Sequence, residues 1–282
     1  MQNRIVKQPI IYTKTKKVGV IEFVKGGEKA PTSGALPLLN TLCDELLSLN
    51  HKQYRHVIVS YDVCVEEPPM SLDTPYVDYD WIVSEFDIKK KIESGEWDEV
   101  WLVGYPELAL HPTCMGGKDA FYCNGPVVPN SKYVSRRFFV MGFNSGRGVD
   151  DALEVFAHRV EFVMARVYAN HPPSKNQWAK YTTYNLQKVG HAAFGTIHRA
   201  PNSTENFEYD NQTPVICSAE DWKNYPNMTN EIRVMTCKDW GDGDPLEHHR
   251  WWLYGIPHFN GKTDGIFNSW WQYIMTPDYI KG

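Results

Sequence analysis

Three strand-length apolar runs, separated by two helical patterns, predict an α/β protein built on a parallel sheet. The runs are Lys17 to Val24, His56 to Val65 and Glu99 to Gly104; Leu36 to Leu49 and Asp78 to Ser94 lie between them with helical spacing. A fourth run, Arg137 to Phe143, leads into the longest helical pattern, Asp150 to Tyr168. Strands that alternate with helical crossovers form parallel sheets. Residues 17–170 therefore read as a Rossmann-like or flavodoxin-like layer.

Each element has a local reason. Residues 1–16 are polar and read as an extended lead-in. KVGVIEFV is rich in β-branched residues and ends before Gly26-Gly27, as a buried strand does. Leu38, Leu39, Leu42, Leu46 and Leu49 mark one face of the first helix. The second strand, HVIVSYDVCV, is broken by Glu66–Pro69. In the next helical pattern Trp81, Ile82, Phe86 and Ile88 turn inward, and Gly95 stops it. Asp150 is the expected N-cap of the longest helix. Residues 171–282 have a different texture, rich in Asn, Pro and Trp, with short strand-like pieces at Val215 to Cys217 and Ile232 to Thr236. No Gly/Ser linker separates the halves, so this part reads as a loop-rich aromatic layer packed on the first, making one compact unit.

Composition bounds the function. The chain has 282 residues, 42% apolar and 22% charged, with a net charge of −5. That length supports a core without disulfide or metal staples. The only basic cluster, Lys14, Lys16 and Lys17 with Lys7 upstream, reads as solvated surface, so no nucleic-acid partner is expected. No apolar run reaches the ~20 residues of a spanning helix. The polar N-terminus has no apolar leader core, which fits a cytosolic protein or an exported one whose leader has been removed. Six cysteines occur without a C-x-x-C pair, so a zinc knuckle is not expected. Nothing in the sequence sets an oligomeric state.

The segment DDALEVFAHRVEFVMARVYA, residues 150–169, is apolar on most sides yet carries Glu154, His158, Arg159 and Glu161. Glu154, His158 and Glu161 share one face at i, i+4 and i+7. Buried ionisable groups are paired, hold a metal or do acid–base work. The bland alternative is a hydrogen-bonded stripe with Arg159 and Arg166 as counter-charges. In GHAAFGTIHRAPN, His191 or His198 would supply a further ligand. Three protein ligands and an open position make a catalytic zinc site. His248, His249 and His258 form a third group, and at most one of the adjacent pair can face a site.

Other segments are weaker. DWGDGDPLE lacks the ligand order of a calcium loop and reads as a solvated acidic turn. Asn144 to Gly148 resembles a phosphate cradle, but Asp150 and Asp151 follow it, so a plain left-handed turn is expected. Cys123, beside Asn-Gly-Pro, would be a thiol nucleophile if His158 lay near it. The aromatics, 10 Trp, 16 Tyr and 12 Phe, include Trp251, Trp252, Tyr254 and Trp270, which are either core or a platform for sugar rings.

The ordered segments A-F-Y-C-N-G-P (120–126), M-G-F-N (141–144), H-R-V-E (158–161) and N-S-W-W-Q-Y (268–273) resemble a group of uncharacterised bacterial proteins, some of them exported. The resemblance spans about residues 95–275. The group's pattern has an acidic residue near position 112, where this chain has Pro112, so no role for a carboxylate there carries over. The resemblance implies the fold and the segments, and no chemistry.

The expectation is a metal-assisted hydrolase. A divalent ion, zinc foremost, is held by His158, Glu161 and His198 or His191, with Glu154 orienting His158 or acting as base. A small-molecule amide, a peptide or a glycan would lie under residues 105–130 and against Trp251, Trp252, Tyr254 and Trp270. The alternative from another class is a carbohydrate- or partner-binding protein with that aromatic layer as its platform. A Cys123/His158 thiol enzyme is the third reading.

Overall fold

The computed structural model describes residues 13–26 and 34–281. Residues 1–12 of the expected lead-in, including Lys7, and most of the loop after Gly26 lie outside the described residues. The α/β fold is as the sequence predicts. The elements run β1 (Lys14–Phe23), α1 (Leu36–Leu49), β2 (Tyr54–Cys64), α2 (Tyr79–Glu85), α3 (Ile88–Glu93), β3 (Glu99–Gly104), β4 (Thr113–Gly116), β5 (Phe138–Asn144) and α4 (Val149–Tyr168). The C-terminal layer holds α5 (Gln177–Tyr181), β6 (Val215–Cys217), β7 (Arg233–Met235), α6 (Pro245–Tyr254), β8 (His258–Thr263), β9 (Ile266–Ser269) and α7 (Trp271–Met275).

The main sheet has the order β2-β1-β3-β5-β4. The first four strands pair in parallel and β4 adds antiparallel to β5. Side chains alternate as the pleat requires. Val18, Val20, Trp101, Val103, Phe139, Met141 and Phe143 face α1, α4 and the C-terminal layer. Ile21, Phe23, Val100, Leu102, Phe138 and Val140 face α2 and α3. Gly19 admits the Trp97 indole on that second face, where a Cβ would stand 2.2 Å from the ring.

Four local readings are corrected. The helical pattern from Asp78 is two helices, because Asp87 takes a left-handed φ of 51°. Phe86, at that break, still lies inward as expected, half-buried and edge-on to Phe23 and Trp81. The stretch after Gly104 contains β4, too short to show periodicity. The C-terminal layer contains a ten-residue helix, α6, capped by Asp244 from the acidic turn. Lys14, Lys16 and Lys17 lie within β1, with Lys16 and Lys17 half-buried.

The C-terminal layer and the sheet share one apolar core. Tyr181 is central to it, stacked on Phe194 at 4.5 Å and edge-on to Trp222, Trp252 and Trp270. Its hydroxyl donates to Trp252 O at 2.5 Å, so its polar tip is satisfied in the dark.

One buried ion pair crosses this core. Arg159 of α4 is fully buried and its Nη1 donates to both carboxylate oxygens of Glu99, at 3.1 and 3.0 Å. Its Nε and Nη2 donate to Ile274 O at 3.0 and 2.7 Å, and its guanidinium lies 3.7 Å from the Phe139 ring centroid. Glu99 also accepts from Trp101 Nε1 at 2.8 Å, with His56 Nε2 3.5 Å away. Arg159 is therefore the partner of the sheet, not a counter-charge to the carboxylates on its own helix. Arg166 lies over Phe121.

Removing one member of a buried pair strands the other. Arg159→Met should lower the unfolding free energy by about 3–5 kcal/mol in a urea titration. Glu99→Leu combined with Arg159→Met should recover a large part of that loss, because both charges leave together.

Candidate metal centre

The helix α4 presents two stripes. Leu153, Phe156, Ala157, Val160, Val163 and Met164 are buried and repeat at helical spacing. Beside them Glu154, His158 and Glu161 form a half-buried stripe. Gly148 is the N-cap in place of the expected Asp150, and Asp150 and Asp151 sit in the first turn, where the helix dipole favours anions. Asp150 Oδ1 lies 2.6 Å from where a Cβ on Gly148 would be, so a side chain there would displace the Asp150 carboxylate. The 144–148 segment is not a left-handed turn: none of its residues has a positive φ.

His198 reaches this stripe from a loop. Thr196 and Arg199 exchange backbone hydrogen bonds of 3.0 and 3.1 Å around the turn that holds it. Gly195 precedes it with a φ of 73°, where a Cβ would strike Arg199 O at 2.1 Å. Trp252 Nε1 donates to Gly195 O at 3.0 Å, and Ile197 N donates to Glu161 Oε1 at 3.3 Å.

Three ligating atoms converge there. His198 Nε2 donates to Glu154 Oε1 at 3.0 Å, and His158 Nε2 lies 3.7 Å from the same oxygen. One ligand atom from each of Glu154, His158 and His198 falls within 4.8 Å of the others. Ligands about 2.0–2.1 Å from a tetrahedral ion lie about 3.3 Å apart, a spacing close to that of these three atoms. Glu161 Oε2 accepts from His158 Nδ1 at 3.0 Å. A carboxylate on the far nitrogen fixes the tautomer and orientation of a ligating imidazole.

The electrostatics agree with the geometry. Burial works against a charged His158, but Glu154 and Glu161 outweigh it and raise its pKa to about 9. Hydrogen bonds from His158 and His198 hold the Glu154 carboxyl far below the usual range. Protons and a divalent ion compete for these atoms.

Two cavities meet at Glu154. One, of about 520 Å³, is lined by Arg147, Asp150, Asp151, Phe207, Tyr209 and His249 among others. The smaller, of about 300 Å³, is lined by His158, Leu108, Leu110 and Pro112 with Gly142 to Asn144. They lie beyond the carboxyl ends of β3 and β5, where open α/β sheets bind ligands.

No known family model matches the chain, and no curated protein matches it.

The sequence expectations fare unequally. His158 and His198 meet. Glu154 and Glu161 exchange roles: Glu154 is the convergent carboxylate and Glu161 the orienting one. His191 is exposed on a separate cavity with Lys180, Lys188 and Asp221. The irregular 190–198 segment turns at Gly195, so the seven-residue spacing does not align the two imidazoles. Cys123 is fully buried, with its thiol pushed up to about 12 by burial, the reverse of an activated nucleophile. It and Cys114 are free thiols. Trp252 and Trp270 are fully buried core residues, so the expected aromatic row does not exist. Trp251 is half-buried and Tyr254 exposed beside another cavity, lined also by His51, Trp222 and His258. His248 is fully buried. Tyr209, Phe207 and Asp151 were missed. Asp151 was within reach, three residues before Glu154; the other two carry no sequence signal.

The raised His158 pKa makes a stability prediction. A histidine pKa lifted from 6.5 to about 9 contributes fully below pH 6.5 and is lost as pH rises through 9. With chelator present, the Tm advantage of the wild type over His158→Gln should therefore shrink across that window. A constant advantage would count against the ionic cluster. Iodoacetamide should leave Cys123 unmodified until the chain unfolds, as mass spectrometry of the peptide would show.

Proposed function

We propose that the chain is a metal-assisted hydrolase in which Glu154, His158 and His198 hold a divalent cation, zinc foremost. The carrying observation is the convergence of Glu154 Oε1 with the two imidazole Nε2 atoms, with Glu161 holding His158 from behind. Two imidazoles and one carboxylate suit zinc and leave room for water. A bound ion of this type supplies a Lewis acid and lowers the pKa of water.

The chain's own residues do the rest. Glu161 ties His158 to the loop carrying His198, so both imidazoles stay aimed. Asp151 lines both cavities beside Glu154 and would take the proton of the attacking water, and Arg147, its ion-pair partner, would hold it in place. The scissile bond of an amide, peptide or glycan would lie where the two cavities join.

Elemental analysis after chelator-free dialysis tests the reading. The wild type should carry about one zinc per chain, and His158→Ala and His198→Ala should carry none while remaining folded by circular dichroism. Asp151→Asn should keep the metal and lose about 10²–10⁴-fold in kcat on any substrate found by a hydrolase screen. A wild-type chain that binds no divalent ion with micromolar affinity would sink the proposal.

A further inference from the structure

The larger cavity beside Glu154 is lined by four carboxylates, Asp150, Asp151, Glu154 and Asp210, and by one cation, Arg147. Arg147 is paired with Asp151, and Glu154 is engaged by the imidazoles. Among the described residues, Asp150 and Asp210 have no ion-pair partner.

His249 makes the cavity more than an acidic patch. It lines the cavity while 98% buried, being only 2% exposed. Its Nδ1 stands 3.0 Å from the Asp150 carbonyl oxygen, which can only accept, so the proton sits on Nδ1. Burial keeps the ring neutral by lowering its pKa, which leaves Nε2 a bare lone pair. The neighbour of Nε2 is the Tyr209 hydroxyl at 3.4 Å, whose single hydrogen goes to Ile197 O at 2.8 Å. Two acceptors thus face each other with no donor between them. A buried acceptor without a donor costs free energy until one arrives.

A second metal ion does not answer this demand. Among the described residues, ligating atoms converge only at Glu154, His158 and His198. An organic cation does answer it, because ammonium and guanidinium groups are donor-only and positively charged. Phe207, exposed at the cavity with its ring 4.4 Å from that of His198, adds an aromatic face to which such cations are attracted.

We propose that this cavity binds an ammonium or guanidinium group, with His249 Nε2 and the Tyr209 hydroxyl as acceptors and Asp150 and Asp210 as counter-charges. That the group belongs to a substrate, a lysine or arginine side chain beside the scissile bond, rests on the hydrolase reading above.

Calorimetric titration of the full chain, with added zinc, tests it with three probes: Nα-acetyl-lysine methylamide, its neutral norleucine counterpart and 1,5-diaminopentane. The lysine derivative should bind at least about tenfold tighter than the norleucine one, roughly the margin of one charge-assisted hydrogen bond. Asp210→Asn, at an exposed position that tolerates change, and His249→Phe should each remove most of that preference. A diamine that binds as tightly as the lysine derivative would assign the pocket to free amines, and a weaker diamine to peptides; both support a cation pocket. Equal affinity for the lysine and norleucine derivatives, or a preference untouched by both variants, would overturn it. Zinc content separates the two claims. Zinc bound without cation preference overturns the pocket alone. Cation preference without zinc overturns the hydrolase and leaves an amine-binding site.

Discussion

The Arg159–Glu99 pair is the interaction on which the rest of this structure depends. Both groups are out of water, so each survives only because the other is there. The pair joins three parts of the chain: Glu99 begins β3, Arg159 sits in the middle of α4, and Ile274 O, which accepts two guanidinium bonds, belongs to the C-terminal α7. A guanidinium has donors in a rigid planar fork, so it fixes an angle as well as a distance.

That angle matters for the candidate metal centre. Successive residues of a helix are turned by about 100°. With Arg159 pinned toward the sheet, His158 must face the side of α4, and Glu154 and Glu161 follow it at four and three residues. The apolar stripe presses the helix onto the sheet, and the neighbouring ionisable stripe is left facing the cavities. Glu161 then converts a helix feature into a tertiary one, since it accepts both from His158 and from the backbone of the loop that carries His198.

The aromatic layer supports the same arrangement at one remove. Trp252 is not a surface for ligands. It fills the core and its single N–H fastens the Gly195 turn just before His198. The aromatic content therefore builds a packed wall behind the loop that carries His198. Tyr209 and His249 belong to the same wall, and both line the cavity beside Glu154.

Local and periodic features were legible in the amino-acid sequence. Strand and helix periods in residues 17–170 gave the parallel sheet and its crossovers. The i, i+4, i+7 spacing placed Glu154, His158 and Glu161 on one face, because helix geometry is the same everywhere. Tertiary structure decided what periodicity cannot carry. It chose His198 over His191, because an irregular loop has no fixed angle per residue. It made Glu154 the convergent carboxylate and Glu161 the orienting one, because those roles depend on the side from which the loop arrives. It sent Trp252, Trp270 and Cys123 into the core, because burial is set by what packs on a segment from elsewhere in the chain.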